Sequence, residues 1–309
     1  MDFEKQSIEI LKMMCGNSGC WILDSGGKDS SILKHIALKS GIPFKIEHSH
    51  TTVDAPETVY FVRSEKKHYE KMGIEYMIEY PKLTMWQLIV KNVMPPTRLA
   101  RYCCKELKEN FGVGKRIATG VRKAESRNRA DNQGIITIPK PSKETIEKVD
   151  NINFQRTDKG GVVVLNVDNG ENRRIVEQCI TQSKVLINPL IDWDDEFVWW
   201  YIRHEEIIIN PLYKNGCGGC LRIGCIGCPM SGKERYRQFE QYPTYKQAYI
   251  KAFDKMIDER KRRNLSVRSE WETGIKIFNW WMEDKNIDGQ YSMNFDGTDL
   301  TGFNEKGAI

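Results

Sequence analysis

The chain has 309 residues, 40% of them hydrophobic and 29% charged, with a net charge of +5, long enough for one large domain or for a core domain with a smaller appendage. No apolar run approaches the roughly 18 residues of a membrane span, and the start MDFEKQSIEILKMM lacks a basic-then-apolar leader, so we expect a cytoplasmic protein with no membrane role. The mild positive charge permits an anionic partner without requiring one.

Residues 3–14 place Ile8, Ile10, Leu11 and Met14 on one side of an amphipathic helix. Residues 20–24 read as a buried strand, and Ser30 to Leu38 as a helix after the loop "DSGGKDS". A strand over Phe44–Glu47, a loop over 48–57, a helix over Tyr60–Met72 and a strand over Glu75–Ile78 follow. Strands alternating with helices at this spacing predict βαβ units and a parallel sheet. Residues 118–130 begin as a short strand and run into a polar, basic loop. The stretch from about 131 to 172 reads as an insertion, its GGVVVLNV piece one arm of a hairpin. VLINPLIDW from 185 resumes the core, and DDEFVWWYIRHEE reads as an aromatic helix. The expected organisation is a nucleotide-binding domain over 1–212, a Cys-rich segment and helical region over 213–285, and a polar tail over 286–309.

A strand, a glycine-rich loop and a helix bind phosphate because backbone N–H groups and the helix N-terminus point at the anion. Gly26 and Gly27 allow close backbone approach, Lys28 adds a point charge, and Ser25, Ser30 and Ser31 add hydroxyls. The Walker spacing GxxxxGK[ST] is absent. Ser25-Gly26-Gly27-Lys28-Asp29-Ser30 instead resembles the PP-loop of the adenine nucleotide alpha-hydrolases, which hold the β,γ-pyrophosphate and cleave at the α-phosphate.

Further segments carry a narrower resemblance. Thr52-Val53-Asp54-Ala55-Pro56-Glu57-Thr58, Arg101-Tyr102-Cys103-Cys104-Lys105, Thr119-Gly120-Val121-Arg122 with Glu125-Ser126-Arg127, Asn188-Pro189-Leu190-Ile191-Asp192-Trp193 and Gly224-Cys225-Ile226-Gly227-Cys228-Pro229 stand in order. Together with the loop they resemble the phosphoadenosine phosphosulfate (PAPS) reductase family, from about residue 20 to 255. The resemblance implies an α/β fold: a flavodoxin-like, Rossmann-like parallel sheet with helices on both faces, and the nucleotide at the carboxyl ends of the strands. The nucleotide-binding residues it implies are Ser25, Gly26, Gly27, Lys28, Asp29, Ser30, Thr119, Gly120, Arg122 and Arg127. Arg122, Arg127 and Arg129 would suit phosphate or sulfate oxygens. Lys28, Asp29, Asp54 and Arg122 are the candidate catalytic residues, the two aspartates as Mg²⁺-orienting carboxylates. Helix capping for Asp29 and a turn role for Asp54 are the plainer readings. His48 and His50 lie at a strand end near the expected nucleotide and read as polar loop histidines.

Nine cysteines, most in CC or CxxC pairs, suggest metal or redox chemistry in the reducing compartment expected. Cys103-Cys104 with Cys225-x-x-Cys228 resembles the signature that ligates a [4Fe-4S] cluster in the adenylyl-sulfate reductase branch. Cys217-x-x-Cys220 leaves an alternative open: Cys217, Cys220, Cys225 and Cys228 could form a Zn²⁺ site. Cys15, Cys20 and Cys179 read as small core residues. The reductases carry a nucleophilic cysteine near the C-terminus, whereas the last cysteine here is Cys228. The expectation is therefore a PP-loop ATP pyrophosphatase, using ATP with Mg²⁺ and a [4Fe-4S] cluster, that activates a DNA or RNA acceptor for thiolation. A cysteine-desulfurase-type donor would supply the sulfur. One alternative is reduction of adenylyl sulfate or PAPS to sulfite, with a thiol at Cys217 or Cys220. Another is a non-catalytic nucleotide or nucleic-acid-binding module with structural zinc. The basic run KMIDERKRR over 255–263 would suit a nucleic-acid backbone, though a solvated helix face is the commoner use of such a run.

Overall fold

In a computed structural model describing residues 2–108, 115–139, 141, 154–157, 160–164, 184–216, 219–220 and 222–283, the first amphipathic stretch is helix α1 (Phe3–Cys15), capped by the Asp2 carboxylate. It leads into strand β1 (Cys20–Leu23), helix α2 (Lys28–Ser40), strand β2 (Phe44–Ser49), helix α3 (Pro56–Lys71) and strand β3 (Tyr76–Glu79). Helix α2 begins two residues earlier than its apolar pattern suggests, because Lys28 and Asp29 of the glycine loop already form its first turn. Strand β2 likewise runs on to Ser49, through His48. Helices α4 (Met85–Asn92) and α5 (Tyr102–Leu107) precede strand β4 (Arg116–Ala118) and helix α6 (Arg127–Asn132). Strands β5 (Ile136–Ile138), β6 (Phe154–Arg156), β7 (Val162–Val164) and β8 (Val185–Ile187) lead to helix α7 (Asp195–His204). Three more helices follow: α8 (Glu234–Gln241), α9 (Pro243–Arg262) and α10 (Gly274–Met282).

The eight strands form one sheet in the order β3-β2-β1-β4-β8-β5-β7-β6. The first five are mutually parallel, with Cys20 opposite Phe44, Trp21 opposite Ile117 and Arg116 opposite Val185. Strands β5, β7 and β6 then extend it antiparallel. The parallel sheet anticipated from the βαβ spacing is thus mixed. The added strands β5, β6 and β7 all fall within the expected insertion, whose hairpin arm is β7, paired on both edges. Residues 140, 142–153, 158–159 and 165–172 of that stretch lie outside the described residues. From β1 the chain steps outward to β3 and then returns to the far side of β1 as β4. Right-handed crossovers running in opposite directions place their helices on opposite faces and open a crevice where the order reverses.

Ile22, Ile32, Leu33, Ile36, Ile46, Ala118 and Ile187 lie in the core at zero exposure. Burying each large aliphatic side chain contributes on the order of 1.5–3 kcal/mol. Two compact units result, one of residues 1–85 and 101–231, the other of 86–100 and 232–309. In the second, Tyr249, Phe253, Phe278 and Trp281 pack together, with the Arg235 guanidinium 4.1 Å from the Trp281 ring centre. Among the described residues no helix is long and apolar enough to cross a membrane.

One buried group works against the sheet. Glu47 on β2 is 1% exposed, and neither carboxylate oxygen has a hydrogen-bond partner. Burial pushes its carboxyl up to about 7. A raised carboxyl stabilises the fold below its unfolded value and loses that contribution as pH rises through the folded one. Urea unfolding at pH 5 and pH 8 should therefore show a loss of about 1–3 kcal/mol attributable to this group, and Glu47→Gln should remove that difference.

Candidate active site

Asp24 follows β1 and is 3% exposed. Its Oδ1 accepts the Gly26 N–H at 2.8 Å and the Ser30 hydroxyl at 2.8 Å. Its Oδ2 accepts the Lys34 ammonium at 2.6 Å and the Tyr76 hydroxyl at 2.5 Å. Burial alone would raise this carboxyl, but the Lys34 charge outweighs it and holds the group well below the usual carboxylate range. Lys34 also donates to Glu65 at 2.7 Å and stays protonated despite its burial. Gly26 turns the chain at φ +69°, where a Cβ would stand 2.9 Å from the Thr58 methyl. Asn210 closes this turn from behind, donating to the Gly26 carbonyl at 3.2 Å and to the Thr58 hydroxyl at 2.9 Å.

The N-terminus of α2 points out of this turn. Helices α1, α7 and α10 are capped by the side chains of Asp2, Asp194 and Thr273, whereas α2, like α3, α5, α8 and α9, has no side-chain cap, its N-cap position being Gly27. Its first-turn amides are thus left to other acceptors, the Lys28 N–H donating to the Tyr213 hydroxyl at 3.2 Å. Ser30 Oγ also lies 2.9 Å from the Gly27 carbonyl oxygen and 3.3 Å from Ser25 Oγ. The Lys28 ammonium pairs with Asp29 at 3.1 Å and stands 6.0 Å from the Trp199 ring centre. Arg122, 1% exposed, donates from Nε to the same Asp29 carboxylate at 2.7 Å, from Nη2 to Asp195 at 2.7 Å and from Nη1 to the Trp193 carbonyl at 3.1 Å.

Gly120 sits against α2, where a Cβ would be 2.9 Å from the Asp29 backbone, so only glycine lets the loop after β4 approach the first turn. Thr119 is pinned to Asn188 through a 2.5 Å hydroxyl bond. Ser25 to Ser30, Thr119, Gly120 and Arg122 therefore converge at one edge of the sheet. Arg127 stands exposed at the start of α6. Arg129 follows two residues later and is half-buried. Burial and then the charge of Arg222 pull it down to about 10, and it also feels Asp29 and Arg122.

Asp54 faces elsewhere. Its oxygens accept the Thr51 N–H at 2.7 Å and the Thr51 hydroxyl at 2.7 Å, and His50 Nδ1 lies 3.3 Å away. Burial would raise this carboxyl, but the bond from His50 and those from Thr51 bring it down to about 2. This loop carries the cysteine turn: the Ile226 N–H donates to the Val53 carbonyl at 2.8 Å, and Cys225 Sγ is 3.5 Å from Thr51 Oγ1.

Cys103 and Cys104 lie in the first turn of α5. Cys104 is brought down to about 5, chiefly by its bond from Cys103, with Arg101 adding to the effect. Cys103 is pushed up by Cys104 and also by the charges of Cys225 and Cys228. Cys228 is raised by burial and then by Cys225. The four thiols of the CC and CxxC pairs thus share one local field. Four soft thiolate donors suit an iron–sulfur group or zinc alike. Cys220 lies within electrostatic reach of Tyr213, whose phenol is raised first by burial and less by the charges of Asp29 and Cys220. Cys217 and Cys179 lie outside the described residues, while Cys15 and Cys20 are buried.

Residue-type reasoning missed Asp24, Lys34, Tyr76, Asn210 and Tyr213. The one local signal was an aspartate ending an apolar strand immediately before two glycines. The others reach the loop from distant sequence positions.

The family model of the phosphoadenosine phosphosulfate reductase domain matches residues 19–231. An uncharacterised protein of Methanocaldococcus jannaschii is 27% identical over 84% of this chain and 53% of its own. Sulfate adenylyltransferase subunit 2 of Rhizobium tropici is 30% identical over 68% of this chain and 62% of its own. The chain thus spans between half and two thirds of the length of these relatives. The crystal structure of a phosphoadenylyl-sulfate reductase from Candida auris aligns with a TM-score of 0.43 and 16% identity, over 71% of this chain and 88% of that one.

Asp24→Asn leaves the buried Lys34 charge with Glu65 alone and frees the Gly26 turn. Breaking a buried pair in this way costs about 3–5 kcal/mol, so urea unfolding should show a loss of that size, with weaker binding of adenine nucleotide than in the parent protein.

Proposed function

The chain belongs to the phosphoadenosine phosphosulfate reductase domain family, and on that footing we propose that it is a PP-loop ATP pyrophosphatase acting in sulfur transfer. In this reading ATP is cleaved to AMP and pyrophosphate to activate a nucleic-acid acceptor for thiolation. The observation that carries the proposal is the uncapped α2 N-terminus with Lys28 and Arg122 joined through Asp29. Loop amides and Lys28 are suited to hold the leaving pyrophosphate, whose charge must be neutralised as the α-phosphate is attacked. Lys28 spends one of its three donors on Asp29, which leaves others for phosphate oxygens. Arg122 is bound on three sides, so its role is to fix Asp29, and with it the first turn of α2. Asp29 is also the carboxylate best placed to orient a nucleotide-bound Mg²⁺.

Cys103, Cys104, Cys225 and Cys228 would hold a [4Fe-4S] cluster, which when bound supplies a soft iron–sulfide centre able to carry sulfur or single electrons. The thiolate character of Cys104 suits it as a ligand. A basic groove in the second unit favours a nucleic-acid acceptor. Its volume is about 600 Å³; Trp86, Val90, Ala248 and Ala252 form its apolar part, and Lys91, Lys251, Lys255 and Arg263 bring positive charge. One aromatic ring among several cations suits a stacked base and its phosphates. The nearby Glu259 is engaged by Arg262 and Arg263.

The position of Cys220 favours a second reading, reduction of adenylyl sulfate or PAPS to sulfite. Its thiol neighbours Tyr213, whose hydroxyl accepts the Lys28 N–H, and so lies toward the nucleotide loop. Anaerobically purified protein should be brown and contain iron and sulfide, and Cys103→Ser and Cys228→Ser should both lose the colour; a colourless protein with one zinc would favour a structural metal module. Given ATP and Mg²⁺ in parallel with adenylyl sulfate and a thiol reductant, the protein should release pyrophosphate and AMP, faster with DNA or tRNA present. Lys28→Ala should slow release by about 100-fold. Sulfite formation abolished by Cys220→Ser would establish the reductase reading instead.

A further inference from the structure

His48, His50 and Asp54 form a cluster that the pyrophosphate grip does not use. A ring nitrogen of each histidine and a carboxylate oxygen of Asp54 lie within 4.8 Å of one another, the one such group of three among the described residues. We propose that these three side chains form a mononuclear site for a divalent transition cation such as Mn²⁺, Fe²⁺ or Zn²⁺.

The donor set is two imidazoles and one carboxylate, which suits those ions and leaves coordination positions open to solvent or substrate. His48 is 4% exposed, and its Nδ1 lies 2.8 Å from the Asp24 carbonyl oxygen. A carbonyl only accepts, so that nitrogen carries the proton and the lone pair resides on Nε2. A backbone carbonyl holding the far ring nitrogen is how metal-binding histidines are commonly oriented. Asp54 is 8% exposed and is fixed in rotamer by its two bonds from Thr51. His50 Nδ1 stands 3.3 Å from Asp54 Oδ2, the separation of two ligands about 2.0 Å from one tetrahedral ion. His50 is half-buried and forms the open side of the site.

Two of the three residues reach the site from one loop and the third from the end of β2, so the fold pre-forms the triad at the carboxyl edge of the sheet. The Lys108 ammonium lies within electrostatic reach of Asp54 but is held first by Cys225. It opposes a cation at this place, which argues for ions that bind imidazole strongly over Mg²⁺ or Ca²⁺. Cys225 touches Thr51 at 3.5 Å, so the triad abuts the cysteine turn without sharing a ligand with it.

The test is Mn²⁺ binding to the intact anaerobic protein in the absence of any nucleotide, read from the loss of the free-ion electron paramagnetic resonance signal. Mn²⁺ prefers nitrogen and oxygen to thiolate, which separates this site from the cysteines. Withholding ATP makes the outcome independent of the pyrophosphatase reading. We expect one equivalent to bind, to be displaced by Zn²⁺, and to bind at least 10-fold more weakly in His48→Gln and His50→Ala. Asp54→Asn should act likewise, but Asp54 also ties its loop, so the partly exposed His50 carries the decision, with thermal melts showing that its variant is folded. Absence of a stoichiometric site, or equal binding in folded His50→Ala and His48→Gln, would overturn the proposal.

Discussion

The functional edge of this molecule rests on one buried carboxylate. Asp24 places a negative charge at the end of β1 and has it satisfied by four donors from four directions. Two of those donors shape the glycine loop, one arrives from the middle of α2 and one from β3. A charge so deeply placed is tolerable only while all its partners stay in position. The loop is thus held by electrostatics rather than by packing of its own small side chains. Lys34 hands the same constraint on to Glu65 and α3, so the first three strands and two of their helices share a single ionic centre.

From that centre two kinds of chemistry open along the sheet edge. Toward β4 lie the loop amides, Lys28 and the Asp29–Arg122 pair. Toward β2, the loop of residues 50–54 carries the turn with Cys225 and Cys228, which gathers with Cys103 and Cys104. The hinge between them is short: His48 bonds the Asp24 backbone, and Thr51 meets both Asp54 and Cys225. The cysteine turn and the glycine-loop side of the sheet are thus joined by a few hydrogen bonds.

Much of this was legible in the sequence. Apolar periodicity located β1 to β3 and their helices to within a few residues, since each strand is flanked by polar turns. The glycine hexapeptide marked the tight turn from β1 into α2, where Gly26 takes a positive φ. The CC and CxxC pairs marked thiols that the fold brings into one local field. What escaped was what only tertiary proximity defines. Lys34 looks like an ordinary helix lysine until α2 is laid against β1. Asn210 and Tyr213 lie more than 180 residues from the loop they brace. The antiparallel extension was hidden because β5, β6 and β7 are three residues each, too short for alternation to stand out.

Strand β8 lies between β4 and β5, two strands that precede it and are themselves separated by only 17 residues. On the ribosome those two emerge first and must not zip together, because the slot between them belongs to a segment some 50 residues later. At about 5–20 residues per second the nascent chain holds that slot open for several seconds. The sheet is completed only by a long-range insertion, the slow kind of closure. Completion of the sheet therefore requires the β4 edge to stay unpaired until β8 has been made.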